Sequence, residues 1–305
     1  MHLTPLNQPL EAEASLRKET LFIINPAAGT RTKDRITSLI GQYLGGAKFN
    51  SHVVLTEYPG HATELAREAV RQGFDYVVAV GGDGTINEVA RALVHTPATL
   101  GIVPVGSGNG LARHLGIPIH AGEALQRIEQ QRHITMDSCT LNDLPFFGTA
   151  GVGFDAQVGY LFSQSKHRGF GTYVQTTMQE LFRYQPVSYR LTVGGRSRRR
   201  KAFAVTFANA SQYGNNAFVA PQADVQDGLL DVCTLRPFPL PAFVDLSIRL
   251  FSKTIHTSPY VEIVRTREAS LKGAEPLRIH LDGESRETGD TLTVRVKPLS
   301  LKVLV

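Results

Sequence analysis

Cysteine is nearly missing from this 305-residue chain. Its two cysteines, Cys139 and Cys233, share no metal-type spacing with each other or with histidines, so a disulfide framework is excluded and a reducing cytoplasm is the natural setting. Long apolar runs are missing too. No segment approaches the roughly 18 to 20 consecutive apolar residues of a transmembrane helix. The first residues carry acids at Glu11, Glu13 and Glu19 without the apolar stretch of a signal peptide, so a soluble, cytoplasmic protein is expected. Three catalytic signatures are also absent. The chain has no histidine pair at i, i+4 around an acid, no G-x-S-x-G and no G-x-x-x-x-G-K-[ST], which removes the usual forms of zinc hydrolysis, serine hydrolysis and P-loop phosphate binding.

What is present is an ordinary globular composition, 42% hydrophobic and 19% charged, in a chain long enough for two domains. The net charge of +5 favours anionic partners, and the excess is concentrated. Arg196, Arg198, Arg199, Arg200 and Lys201 follow Gly194-Gly195, which reads either as a solvated hairpin tip or as a contact for anionic lipid headgroups. No aromatic residues interleave with these bases, which argues against nucleic acid.

Residues 1–18 are polar and aperiodic and read as a loose extension. From Leu21 the pattern alternates between strand and helix. Strands are predicted at 21–25, 52–57, 75–80 and 99–105, and helices at 61–72 and 86–95, as in parallel α/β units. After a helix-like stretch at 121–131 the texture changes, with a boundary near 132–136. Alternating runs at 134–141, 145–152, 188–193, 202–209, 229–235, 260–265, 277–281 and 291–305, joined by Gly, Asn and Asp turns, predict an antiparallel β-sandwich. Helices at about 171–184 and 240–253 interrupt it. The expected division is an α/β domain over 19–134 and a β-sandwich over 135–305.

Val80 to Thr85 read V-G-G-D-G-T, between an apolar run and a helix-like stretch. Gly81, Gly82 and Gly84 let the backbone approach a ligand with no Cβ in the way. The helix that follows aims its free N–H groups at the same spot, so the turn has the makings of a phosphate site. Asp83 is the odd member, because a carboxylate repels phosphate unless a divalent cation lies between them or the acid polarises a hydroxyl. Thr85-Ile86-Asn87-Glu88 also fits a capping box, with Thr85 as the cap and Glu88 reaching back. Asn87 lies off the apolar face formed by Ile86, Val89, Ala90, Leu93 and Val94, free to contact a nucleotide.

Two other predicted strands end in small-residue loops, Asn25-Pro26-Ala27-Ala28-Gly29 and Gly106-Ser107-Gly108-Asn109-Gly110. Open α/β sheets bind ligands at the carboxyl ends of their strands, so the three loops are expected to converge on one crevice. Farther on, Asp224, Asp227 and Asp231 surround Gly228, as oxygen ligands for a hard cation such as Mg²⁺ or as a plain D-G turn before a strand. Leu281-Asp282-Gly283-Glu284 leaves Glu284 at a turn, a general base if it faces the crevice and a surface acid otherwise. Phe146, Phe147, Phe154, Phe162, Phe170 and Tyr173 cluster in sequence, as core or as the wall of an apolar pocket.

The motifs N-P-A-A-G at 25–29, G-G-D-G-T-I-N-E at 81–88, G-S-G-N-G-L-A-R at 106–113, D-G-L-L-D-V at 227–232 and L-D-G-E at 281–284 together resemble the soluble lipid kinases of the diacylglycerol kinase and sphingosine kinase family. They occur in the family's order over nearly the whole chain. The resemblance implies a Rossmann-like α/β domain of the phosphofructokinase and NAD-kinase kind, a C-terminal β-sandwich, and a cleft where ATP meets a lipid hydroxyl. It carries ATP contacts to Asn25, Pro26, Ala27, Ala28, Gly29, Thr56, Gly81, Gly82, Asp83, Gly84, Thr85, Ile86, Asn87, Glu88 and Ser107. It also makes Asp83 an organiser of the phosphates and catalytic Mg²⁺, Glu284 the proton acceptor, and Asp224, Asp227 and Leu229 a structural Mg²⁺ site. The partners implied are a lipid presented at an anionic membrane surface, by peripheral contact, and a second copy of the chain as a homodimer. The third loop, G-S-G-N-G, looks closer to the sphingosine and ceramide kinase side than to diacylglycerol users. Two other readings compete: an NAD-kinase-like enzyme with a soluble acceptor, and a regulator that binds ATP without transfer.

Overall fold

The computed structural model describes residues 17–28, 32–46, 48–164 and 170–305. Its first part contains β1 (Lys18–Ile24), β2 (Phe49–Leu55), β3 (Tyr76–Gly81) and β4 (Thr99–Pro104), with α1 (Thr32–Tyr43), α2 (His61–Arg71) and α3 (Asp83–Leu93) between them. The strands pair in parallel in the order β2-β1-β3-β4. β3 and β4 are buried along their whole length, the pattern of a parallel sheet covered on both faces. Their side chains pack with Ile36, Ile40, Val89 and Leu93 of the helices in one core. α4 (Gly110–His114) and α5 (Ala121–Glu129) complete this half.

The second half is rich in strands. In chain order these are β5 (His133–Leu141), β6 (Leu144–Phe146), β7 (Thr149–Gly153), β8 (Val187–Val193), β9 (Arg196–Ala202), β10 (Ala204–Ala208) and β11 (Leu230–Leu235), then β12 (Val261–Thr266), β13 (Glu268–Lys272), β14 (Leu277–Leu281), β15 (Glu284–Thr288) and β16 (Thr291–Leu304). α6 (Phe154–Gln164) and α7 (Phe170–Leu181) follow β7, and α8 (Ala242–Phe251) lies between β11 and β12. An antiparallel six-stranded sheet runs β12-β11-β10-β7-β14-β15. Phe146, Phe207, Val232, Leu271 and Ile279 are buried between it and the strands of the other sheet, so the second half is the antiparallel sandwich expected.

β16 belongs to both halves. Leu292 and Val294 lie in the sandwich core, where the strand pairs with β13 and β5. Leu301, Val303 and Leu304 lie in the α/β core, and Val303 pairs in parallel with Leu100 of β4. Between these parts the register shifts from Lys297 to Leu301, and Leu299 takes a φ of 44°. The two halves therefore share one ten-stranded sheet, which fixes the mouth of one against the other.

Three local expectations are corrected. The helix predicted at 86–95 is Asp83–Leu93, starting from an extended Gly82. Thr85 thus sits inside the first turn and cannot be its cap, and the Glu88 carboxylate instead accepts the Gly60 and Ala62 N–H groups at the start of α2, at 2.8 and 3.1 Å. The run predicted at 145–152 breaks into β6 and β7, because the N–H groups of Phe147 and Gly148 turn out of the ladder toward the Asp282 carboxylate. The basic run 196–201 is not a hairpin tip. It forms β9, and the tip is the two-residue turn Gly194-Gly195, both with positive φ as a tight hairpin requires.

Candidate active site

The three small-residue loops do come together. Asn25 ends β1, its side-chain oxygen accepts the Ala27 N–H at 2.9 Å, and its amide donates to Thr85 Oγ1 at 3.1 Å, tying the first loop to the start of α3. Thr56 lies on the same sheet edge, its N–H on Ile24 O. Gly29 falls outside the described residues. A Cβ on Gly81 would lie 2.4 Å from the Thr85 side chain, and one on Gly106 would lie 2.6 Å from Gly82 Cα. Both positions are therefore glycine because the backbone passes there with no room to spare. Ser107 is exposed at the rim of the third loop.

Asp83 binds that third loop. Its two carboxylate oxygens accept the N–H groups of Asn109 and Gly110, at 2.8 and 2.7 Å, at the start of α4. Burial pushes the carboxyl up to about 6, the neighbouring Asp282 charge adds to the rise, and the two N–H donors oppose it. Asn109 holds the turn with a φ of 55° and donates its amide to Gly106 O at 2.7 Å. Its buried side-chain oxygen has no donor among the described residues.

The far end of the chain supplies the opposite wall. Asp282 and Gly283 form the two-residue turn between β14 and β15, both with positive φ. The Asp282 carboxylate accepts the N–H groups of Phe147, Gly148 and Thr149, at 2.9, 2.8 and 3.0 Å, and the Asn87 amide at 2.6 Å. Burial still holds its carboxyl above the ordinary value, against these four donors. Asn87 is buried rather than free. Its side-chain oxygen accepts Arg91 Nε at 3.1 Å within α3, while its NH₂ group joins α3 to the sandwich. Glu284 starts β15 with its carboxylate against Gly84, where an added Cβ would lie 2.7 Å from Oε1, and its other oxygen is 3.3 Å from Arg286. A carboxylate from the sandwich thus reaches the positive end of α3.

Between these walls lies a narrow cleft lined by Asp83, Ile86, Leu111, Phe147, Tyr213 and Asp282 among others. Its walls mix acids with apolar surface. Behind Tyr213, the Asp155 carboxylate takes three contacts at one oxygen, from Thr206 Oγ1 at 2.9 Å, Tyr213 Oη at 3.0 Å and His280 Nε2 at 3.2 Å. Of the sequence aromatics, Phe146 and Phe147 are core, and Phe154 stacks on Phe203 at 4.5 Å. Phe162, Phe170 and Tyr173 lie on α6 and α7, and their side chains fall outside what the structure describes.

Asp224, Asp227 and Leu229 line a separate shallow recess with Asp231. Asp224 and Asp227 each accept a local N–H at one oxygen, from Gln226 and Leu229, and the second Asp227 oxygen lies 4.0 Å from Arg265 Nη1. That donor set suits a hard cation completed by carbonyls and water, though no three acidic, histidine or cysteine side chains converge here among the described residues. Arg265 reaches into the recess, 3.2 Å from Asp231.

Sequence reasoning missed four positioning residues: Asn109, Asp137, Asp155 and His114. Fully buried Asp137 accepts the N–H groups of Gly228 and Leu299, both at 2.7 Å, bracing the recess against the β16 bulge. His114 accepts the Ser211 N–H at Nδ1 at 3.1 Å, and burial lowers its pKa, which keeps the ring neutral between α4 and the sandwich. A turn residue such as Asn109 carries a local signal in G-x-G-N-G. The other three have partners too distant in sequence to leave one.

A parallel α/β sheet with converging glycine loops, faced by a sandwich that delivers an acid, defines a two-domain kinase fold. The chain belongs to the lipid kinase family built from the "Diacylglycerol kinase catalytic domain", matched at residues 19–141, and the "YegS C-terminal NAD kinase beta sandwich-like domain", matched at 148–305. It is 32% identical over 231 residues to a Chromohalobacter salexigens protein named "Probable lipid kinase YegS-like", covering 74% of each chain. It is 26% identical to the diacylglycerol kinase of Bacillus subtilis, over 88% of this chain and 90% of that one. A crystal structure of a diacylglycerol kinase from Bacillus anthracis shares the fold, with a TM-score of 0.75 at 22% identity, over 94% of this chain and 96% of that one. No helix among the described residues is long and apolar enough to cross a membrane.

Proposed function

We propose that this chain transfers the γ-phosphate of ATP to a hydroxyl group of a lipid, with Mg²⁺ as the metal. The observation that carries this reading is the Glu284 carboxylate seated on Gly84, at the N-terminus of α3 and beside a cavity with both acidic and apolar walls. The α3 terminus with the Asn25 to Ala28 loop and Ser107 receives the nucleotide phosphates, while the sandwich side of the cavity receives the acceptor. In this reading residues 19–134 form the nucleotide half and 135–305 the lipid half. Mg²⁺ supplies charge neutralisation to the phosphates during such a transfer.

The roles of the chain's own residues follow from their contacts. Glu284 accepts the proton of the lipid hydroxyl late in the transfer, because an alcohol has too high a pKa to lose it early. Asp83 is a positioning residue, since both of its oxygens hold the third loop. Asp224, Asp227 and the Leu229 carbonyl would hold a structural Mg²⁺, whose effect would be to order the loop before β11. The test is labelled ATP with mixed micelles of diacylglycerol, monoacylglycerol, sphingoid base, ceramide or polyprenol. Phospholipid product that falls about 10²- to 10⁴-fold in Glu284→Gln, with an unchanged circular dichroism spectrum, is the expected result. Phosphorylated NAD⁺ with no lipid product would favour a soluble acceptor, and nucleotide binding with no product at all would favour a regulator.

A further inference from the structure

Seven of the thirteen large apolar side chains exposed among the described residues lie on α7, on α8 or just beside them. On α8 they form one stripe. Leu240, Val244, Ile248 and Phe251 recur at spacings of four, four and three, and Val244 and Ile248 are each 63% exposed. Leu246, the buried residue of this helix, lies on the opposite side. α7 repeats the pattern with Val174, Met178 and Phe182, the last 65% exposed. Such spacing normally turns toward a core, and here it faces water.

The two stripes start from a common point. Tyr184, two residues after Phe182, and Phe238, two residues before Leu240, both pack on Phe203, at centroid distances of 5.2 and 4.8 Å. Phe203 directly follows β9, the basic edge strand. Arg200 of β9 and Arg236 share Glu262, while Arg196, Arg198, Arg199 and Lys201 are exposed. Other charges on α8 are Asp245 and Arg249, which pair at 2.7 Å, and Lys253 beyond its end lies over the Phe218 ring. Apolar stripes accompanied by exposed cations match one occupant best: the headgroup and upper acyl region of a bilayer containing anionic phospholipid.

The same elements lead to the cavity. Phe154 packs on Phe203 and is followed by Asp155, which holds Tyr213 of the cavity wall. At its other end, α8 gives the Leu250 carbonyl to the Phe218 N–H, in the loop that continues from Tyr213. We infer that the α7 and α8 stripes and the basic strand β9 form one membrane-docking face, which sets the acceptor side of the cavity toward the bilayer. This rests on the lipid-kinase reading for its orientation and on the surface alone for its existence.

The test is vesicle flotation without nucleotide, using phosphatidylcholine vesicles with and without phosphatidylglycerol. The chain should float with the anionic vesicles. The double variant Val244→Ser/Ile248→Ser should lower the partition coefficient about tenfold or more while the unfolding curve stays unchanged, because two aliphatic side chains no longer leave water. Arg199→Glu/Lys201→Glu should remove the preference for phosphatidylglycerol. Equal flotation of wild type and the Val244/Ile248 variant would overturn the proposal. So would a wild-type dimer that the variant converts to monomer with no vesicle binding, since the stripe would then be a self-interface. Flotation without lipid phosphorylation would leave the docking face standing and sink the lipid-kinase reading; phosphorylation of micellar lipid without flotation would do the reverse.

Discussion

The Asn87 amide donates to the Asp282 carboxylate at 2.6 Å, across 195 residues of sequence. One partner stands on α3 of the nucleotide half and the other in the turn that delivers Glu284, so this bond fixes the acid over Gly84. Asn87→Ala removes the only side-chain donor that Asp282 receives from α3, and leaves a partly desolvated carboxylate short of one partner. It should cost about 1–3 kcal/mol in urea unfolding. Asn87→Asp should cost more, since it sets a second acid against Asp282. Either loss without a fall in kcat would show that Glu284 is held by the sandwich alone.

The raised pKa of Asp83 gives opposite signs for activity and stability. The ionised carboxylate accepts both the Asn109 and Gly110 N–H groups, so protonation as the pH falls through about 6 loosens the third loop. The acid limb of kcat/KM is therefore expected near 6 rather than near the ordinary 3.8. Stability runs the other way. The folded state binds this proton more tightly than the unfolded chain does, so the contribution of Asp83 is fully present below the ordinary carboxylate pKa and is lost as the pH rises through about 6. Asp282 and Asp231 are also shifted upward and act in the same direction, so Asp83→Asn should reduce this slope without abolishing it. A kcat/KM that stays flat from pH 7 to about pH 5 would refute the role of ionised Asp83.

Two glycines separate packing from chemistry. A Cβ at Gly106 meets the Gly82 backbone at 2.6 Å, which cannot yield without moving a loop, so Gly106→Ala should lower the thermal midpoint markedly. A Cβ at Gly84 meets only the end of the Glu284 side chain, at 2.7 Å. Gly84→Ala should therefore keep the midpoint within a few degrees and displace the carboxylate, lowering kcat more than it changes KM for ATP. Thermal scanning with steady-state kinetics distinguishes the two, and equal loss of stability in both would contradict the contact pattern.

Turn chemistry explains what was legible in the sequence. The glycine loops after β1, β3 and β4 and the D-G turn before Glu284 announce themselves because few residues accept their dihedrals or their close approaches. The sandwich was legible as alternation. The joining of the halves was not, because β16 reads as one long strand and nothing local marks the switch from one core to the other at Leu299. Asn87 was misread for the same reason: helical periodicity sets it off the α3 core face, and only the fold brings Asp282 to meet it there. Thr85 and Glu88 satisfy a capping motif in sequence, but α3 begins three residues too early for it to form.

Asp137 offers a test of the recess that does not depend on catalysis. Its two oxygens hold the Gly228 and Leu299 N–H groups, so it braces the loop of Asp224 and Asp227 against the strand that joins the halves. Asp137→Asn keeps the shape but turns an amide donor toward one of those N–H groups, and a loss of about 2–4 kcal/mol is expected for this buried site. If Mg²⁺ binds at Asp224, Asp227 and the Leu229 carbonyl, added Mg²⁺ should raise the thermal midpoint of the wild type by mass action. Asp227→Asn should abolish that rise while changing the metal-free midpoint little, because its contacts are a local N–H and a long, partly exposed ion pair with Arg265. Asp137→Asn should lower the metal-free midpoint and retain a Mg²⁺-dependent rise. A wild-type midpoint that does not respond to Mg²⁺ would remove the recess as a metal site and leave Arg265, already 3.2 Å from Asp231, as the cation that balances these acids.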